Sequence, residues 1–350
     1  MSYIQNEAMS DIDKYLDNFS ISGKLFRESV VFRKTDKGLC GTLIYPIKKL
    51  ISIENYDLSH SFDNNDFKIE NNKIYYQGSD DIPFLTEDEY WGKDGDPFDL
   101  AEMKKFHVKC PYYSESFLVK KQLLVTYEFE PQEDLFKPFK TNNLKNIKNK
   151  IKNKEDISIV VYGDSIARGM TSSKYLNRKP FVPPFYELIG EYLSNQGCHV
   201  EITNNSVIGM DSKWGIDNFD NNVPLGKDLY IICFGMNDGT GGVEEQEYIS
   251  NINKMITKIG DKDIILISTI IPNPDAVNDS NVYFLNKQEK YLPYLLKLEK
   301  ENVAICDMTS FHIKLLKIKP YVDISGNNIN HPNDFLGRCI AKAILTMIER

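Results

Sequence analysis

The chain has 350 residues, 41% of them hydrophobic and 26% charged, and a formal charge of −8. That length holds two domains with separate cores, and the composition is that of an ordinary globular protein. With a pI near 5.3 the chain offers no positive face for nucleic-acid phosphates, and no stretch approaches the roughly 18 apolar residues of a membrane-spanning helix, so neither nucleic acid nor membrane is expected as a partner.

The first residues, Met1 to Asp13, lack the basic start and apolar run of a secretory signal, so a cytoplasmic location is expected. Six cysteines (Cys40, Cys110, Cys198, Cys233, Cys306 and Cys339) are scattered without the paired spacing of a zinc or redox site. Cys233 and Cys306 lie in apolar runs and read as buried thiols. No metal and no cofactor is expected.

In chain order, a short helix is predicted around Asn6 to Phe19. Strand-like runs follow as far as Glu130: Val30 to Arg33, Gly41 to Pro46, Leu50 to Ile53, Phe67 to Glu70, Lys73 to Tyr76 and Leu123 to Phe129. These short β-branched and aromatic segments are separated by turn clusters such as Asp63 to Asp66 and Asn71-Asn72, the pattern of an antiparallel sandwich. Residues 1–130 are therefore read as an all-β, jelly-roll-like sandwich. Residues 131–156 read as a linker, in which Leu144, Ile147 and Ile151 recur at helical spacing among lysines. A lysine tract can meet an anionic partner, but in an acidic chain a connecting helix with a solvated basic face explains it better.

From residue 157 to 350 strands and helices alternate. Ile157 to Val161, Val200 to Thr203, Leu229 to Phe234, Ile264 to Ile267 and Val303 to Cys306 are predicted strands. Helical stripes run through Phe185 to Leu193, Ile249 to Ile259, Gln288 to Glu301 and Asp334 to Ile348. Strict alternation implies an α/β, flavodoxin-like parallel sheet with helices on both faces, and right-handed crossovers put every strand-to-helix loop on one edge. That edge collects Gly163-Asp164-Ser165, Ser206 to Gly209, Gly235 to Asp238 and the last loop, Asn327 to Asn333. A serine just past the carboxyl end of such a strand lies where open α/β sheets hold ligands.

With these blocks the chain resembles the SGNH or GDSL hydrolases: Gly163-Asp164-Ser165 with Gly169, then Gly209, then Gly235-Met236-Asn237-Asp238, then His331-Pro332. The resemblance covers about Asp156 to Arg350. It departs from the family pattern at Asn328, three residues before His331, where aspartate is usual. The resemblance implies a serine esterase with Ser165 as nucleophile, His331 as base, and the Ser165 N–H, the Gly209 N–H and the Asn237 amide as an oxyanion hole. His331 would be supported by a backbone carbonyl, by Asn328 or by Asp323. Some two-domain carbohydrate esterases of this superfamily are similar in carrying an N-terminal β-sandwich. The substrate expected is therefore a short-chain, acetyl ester of a carbohydrate or related small molecule. The alternatives are a lipid esterase, a thioesterase, an acyltransferase, or a noncatalytic glycan-binding relative. Oligomeric state is not legible.

Chemically, a neutral hydroxyl needs a base within about 2.6 to 3.2 Å, and histidine titrates in the right range. Asp164 and Asp238 read as loop braces. His60, His107, His199 and His312 have no metal-ligand spacing. The stretch Asp94 to Asp99 has the composition of a calcium loop without its terminal glutamate and reads as a solvated turn. Trp91 and Trp214 are aromatic faces able to stack on a sugar, Trp214 the better placed of the two.

Overall fold

The computed structural model describes residues 11–93, 115–275 and 288–349. Residues 6–10 of the expected first helix, the stretch Asp94 to Asp99, His107 and Cys110 lie outside them. The backbone gathers into two compact units. The first comprises Met1–Leu135, Thr171–Pro183 and Ile313–Gly337; the second comprises Phe136–Met170, Pro184–His312 and Arg338–Arg350.

In the first unit, helical turns at Ile12–Leu16 and Phe19–Ser22 precede seven strands: β1 (Lys24–Val31), β2 (Arg33–Thr35), β3 (Gly38–Thr42), β4 (Lys49–Asn55), β5 (Phe67–Glu70), β6 (Lys73–Tyr76) and β7 (Gln122–Glu128). They form two antiparallel sheets, ordered β1-β7-β4 and β2-β3-β6-β5. The run from Val30 to Arg33 is divided between them: β1 ends at Val31, Phe32 is fully buried, and Arg33 opens β2. A Cβ on Gly41 of β3 would come within 2.4 Å of Val30 Cγ1 in β1, so the sheets touch where one lacks a side chain. The β5–β6 hairpin turns on Asn71 at φ 61, a left-handed position that asparagine tolerates. In β1 the pairing with β7 shifts between Leu25 and Glu28, with Arg27 at φ 49, and past this bulge both faces of the strand are covered. Glu28 and Val30 on one face, and Ser29 and Val31 on the other, are all buried.

The second unit carries a five-stranded parallel sheet of β8 (Ile157–Gly163), β9 (Val200–Asn204), β10 (Leu229–Cys233), β11 (Asp263–Ile267) and β12 (Val303–Cys306). Its order, β12-β11-β10-β8-β9, is that of a flavodoxin-like doubly wound sheet. Every residue of β10 and β11 is buried, as expected of strands covered on both faces. On one face Val160, Tyr162, Tyr230, Ile232, Ile264 and Leu266 pack with Ile252, Met255, Ile256 and Ile259 of the helix Glu245–Ile259. The helix Phe185–Asn195 lies on β9, where Gly190 has Ile202 in the space its Cβ would take. The linker's helix forms at Lys145–Asn153 with Ile147 buried, and the Ile147 N–H donates to Asp263 Oδ2 at 2.7 Å.

One predicted helix is corrected. Gln288 to Glu301 is not continuous but a run of short turns, Gln288–Tyr291, Leu292–Leu295 and Leu296–Leu298. Pro293 accounts for the break, since proline has no N–H to donate and is tolerated only in a first turn, where it stands here. The five cysteines among the described residues, Cys40, Cys198, Cys233, Cys306 and Cys339, are all buried.

Candidate active site

The Ser165 turn is set by close approach of backbone. Gly163, the last residue of β8, pairs with Cys233 of β10, and a Cβ there would sit 2.0 Å from the Cys233 carbonyl oxygen, so only glycine fits. The Asp164 N–H donates to that carbonyl at 3.2 Å, and Asp164 Oδ1 accepts from the Ile166 N–H at 2.8 Å. Ser165, buried, then opens the single turn Ser165–Arg168, which Gly169 closes at φ 70. A Cβ at Gly169 would lie 2.4 Å from Pro184 Cβ, so this second glycine is required by packing as well as by conformation.

The next two loops join this turn. The Val207 N–H donates to Gly163 O at 3.0 Å. Asn204 Nδ2 donates to Ala167 O at 3.0 Å while Asn204 Oδ1 accepts from the Ser206 N–H at 3.0 Å. Sequence reasoning had passed over Asn204; its one signal was an Asn-Asn pair directly after a strand. Gly209 stands at φ 78 with open space where a Cβ would go, so conformation rather than crowding calls for glycine. Asn237 Nδ2 donates to Met210 O at 2.9 Å, which brings the β10 loop against the β9 loop one residue from Gly209. The turns bearing Ser165, Gly209 and Asn237 are thus tied together at the edge where the strand order reverses between β8 and β10.

Asp164 and Asp238 brace these loops. Asp238 accepts from the Ser212 N–H at 3.1 Å and from the Ser212 hydroxyl, and Asn251 Nδ2 donates to that hydroxyl oxygen at 3.1 Å. Burial pushes Asp164 up to about 7, against N–H donors that lower it, and pushes Asp238 up to about 6. Trp214 is half-buried against the core cluster under the sheet, its ring 6.3 Å from Tyr162. Trp91 packs at the edge of a smaller cluster of the first unit and donates from Nε1 to Glu87.

His331, Asn328 and Asp323 belong to the first unit, on the segment Ile313–Gly337. The histidine loop closes through a bridge between Ser325 and Pro332, with the Gly326 N–H donating to His331 O at 2.9 Å. Within it Asn327 is the organising residue. Its Oδ1 accepts from the N–H groups of Ile329, Asn330 and His331 at 3.0, 3.0 and 3.1 Å, and its Nδ2 lies 2.9 Å from His331 Nδ1. With the carbonyl oxygen taken up by three donors, the amide nitrogen faces the ring. Nδ1 of the imidazole thus faces an amide donor, which favours the neutral tautomer with its proton on Nε2. Burial pushes His331 down to about 4.

Of the two side chains the sequence offered as supports for the ring, Asn328 sits at φ 66 with its N–H on Ser325 Oγ at 2.9 Å. Asp323 turns its carboxylate to the Val31 N–H at 2.9 Å and to Lys319 Nζ at 3.2 Å. Burial raises the Asp323 carboxyl to about 6, with the Lys319 charge opposing the rise. Asn327, one position from Asn328, is the residue the sequence did not single out; a run of asparagines gave no means of telling which one folds back on the ring.

A family model described as GDSL-like Lipase/Acylhydrolase matches residues 161–335, a span that includes the Ser165 turn and the His331 loop. The chain belongs to that family and is by class a hydrolase of esters. No curated protein matches it. Among solved structures it is similar to Axe2, an acetylxylan esterase from Geobacillus stearothermophilus, at 17% identity over 55% of this chain and 94% of that one, with a TM-score of 0.44. A lipase/acylhydrolase from Enterococcus faecalis is 19% identical over 54% and 95% of the two chains, at a TM-score of 0.39. A two-domain esterase, CEX, active on acetylated mannans and co-crystallised with mannopentaose, is 18% identical over 57% of this chain and 51% of its own, at 0.43. Among the described residues no group of three or more His, Cys, Asp or Glu side chains is arranged to hold a metal, and no helix is long and apolar enough to cross a membrane.

Proposed function

We propose that the protein is a serine esterase that removes a short acyl group, acetyl in the first instance, from a carbohydrate or related small molecule through an acyl-serine intermediate. The observation that carries this reading is the chain of three loops at Ser165, in which the Asn237 turn is hydrogen-bonded to the Gly209 loop and that loop to the Ser165 turn. Ser165 Oγ attacks the ester carbonyl and its proton passes to His331. The carbonyl oxygen gains charge against the Ser165 N–H, the Gly209 N–H and the Asn237 amide. Collapse expels the alcohol, which takes the proton back from the imidazole. Water then attacks the acyl-serine by the same sequence and frees the carboxylic acid.

His331 is suited to the base role in one respect and handicapped in another. Burial keeps it neutral throughout the physiological range. The Asn327 amide, however, favours the tautomer with the proton already on Nε2, so that proton must move to Nδ1 before Nε2 can receive another. The test is hydrolysis of a chromogenic acetate by the wild type, Ser165→Ala and His331→Ala, with circular dichroism to verify folding. Loss of at least about 10³-fold in both folded variants is expected; activity unchanged in Ser165→Ala refutes the assignment.

A further inference from the structure

The backbone beneath the His331 loop is held by buried side chains from strands β1 and β7. Gln122, the first residue of β7, is 4% exposed. Its Nε2 donates to Val322 O at 3.0 Å and to Ser325 O at 2.8 Å, and its Oε1 accepts from Asn333 Nδ2 at 3.2 Å. Both amide hydrogens and the carbonyl oxygen are thus engaged, across sequence separations of 200 or more.

The two ends held by Gln122 are the two ends of the loop. Ser325 precedes it, and the Ser325 hydroxyl donates to His331 O at 3.1 Å while accepting from the Asn328 N–H at 2.9 Å. Asn333 follows it, and its Oδ1 accepts from the Leu336 N–H at 3.2 Å at the start of the helix Asp334–Ile348. Ser29 of β1 repeats the grip: its hydroxyl donates to Asp323 O and accepts from Asn333 Nδ2 at 2.9 Å. Any displacement of Ser325 or Asn333 moves the imidazole that hangs between them, and a shift of about 1 Å at a reacting group is enough to cost up to about 10²-fold in rate.

We infer that Gln122 is a positioning residue for His331, and that the β-strand region serves the chemistry by fixing the frame of the histidine loop. This rests on the reading of His331 as the base. Gln122→Met keeps length and volume but makes none of the three hydrogen bonds. Its kcat on the chromogenic acetate should fall about 10- to 100-fold with KM within about twofold, because the misplaced group acts in the chemical step rather than in ground-state binding. Ser29→Ala should shift kcat the same way by a smaller factor, and it carries the test if Gln122→Met does not fold. Phe67→Leu, a core change in β5 against Phe32, Phe62 and Tyr76, is the control for lost stability alone. The inference is overturned if kcat of the folded Gln122 variant, or of Ser29→Ala in its absence, stays at the wild-type value or falls no further than that of Phe67→Leu at equal loss of Tm. Activity that survives Ser165→Ala or His331→Ala overturns the esterase reading itself, whatever the Gln122 variant does.

Discussion

At Ser165 the chain is held by its own backbone: two parallel strands so close that Gly163 has no room for a Cβ, an aspartate folded onto the next N–H, and a left-handed glycine closing one helical turn. At His331 the loop is held by side chains, Asn327 from within and Ser29, Gln122 and Thr171 from far away in sequence. The first construction rests mainly on backbone and glycine, marked in sequence by Gly163, Asp164 and Gly169 even though Cys233, Asn204 and Val207 meet it from other loops. The second is distributed, and its parts mean nothing until the chain has folded. A turn built like that of Ser165 should survive changes elsewhere, whereas the imidazole should be sensitive to substitutions at distant positions.

The strongest blow to that comparison falls on Lys319, which is fully buried with Glu28 and Asp323. Burial alone would push its ammonium down in pKa, but the two carboxylates hold it above the ordinary lysine value. Lys319→Met leaves both carboxylates without their cation and should lower stability by about 3 to 5 kcal/mol in urea titrations. Part of that loss should return at pH 5, as the Asp323 carboxyl, raised by burial, takes up a proton. A loss below about 1 kcal/mol would show that the network contributes little to the histidine side.

Next in size is Asn237→Ala. On the serine side a single oxyanion donor should be separable from stability, so kcat should fall by about 10²- to 10³-fold while Tm changes little. Loss of fold in this variant would mean that the bond to Met210 O supports the loop rather than the reaction.

The smallest effect expected is at Asn327. In Asn327→Asp one oxygen still caps the backbone N–H groups, and the other presents an acceptor to Nδ1 in place of a donor. The acid limb of kcat/KM, expected in the wild type near the value of about 4 to which burial pushes the imidazole, should rise by about one pH unit with a gain in kcat. An unmoved limb would mean that Asn327 does not govern the ring. The depressed His331 pKa also has a stability consequence. It contributes stability that is present above the unfolded value of 6.5 and is lost as pH falls toward about 4. Wild type should therefore lose more stability across that window than His331→Gln does, as followed by urea titration at stepped pH.

The same contrast decides what was legible in the sequence. The parallel sheet was readable because β8, β10 and β11 are continuous apolar runs. The turns that carry Ser165, Gly209 and Asn237 were readable because glycine and turn chemistry mark a backbone that must bend sharply at a strand's end. The final helix was matched at both ends, Asp334 and Ile348. Pro293 is the sequence signal for the broken helix. Asn327 and Gln122 were not readable at all, since their roles depend on partners that lie nearby in a field of identical residues or 200 positions away. A buried Lys319 likewise looks in sequence like any other lysine of a polar helix end.

The most direct measurement is labelling with a serine-reactive phosphonate, read by mass spectrometry on the digested protein and repeated in His331→Gln. We expect one adduct, on the peptide containing Ser165, forming at least about 10²-fold more slowly when the imidazole is replaced. An adduct elsewhere, or an equal rate without His331, would contradict the account.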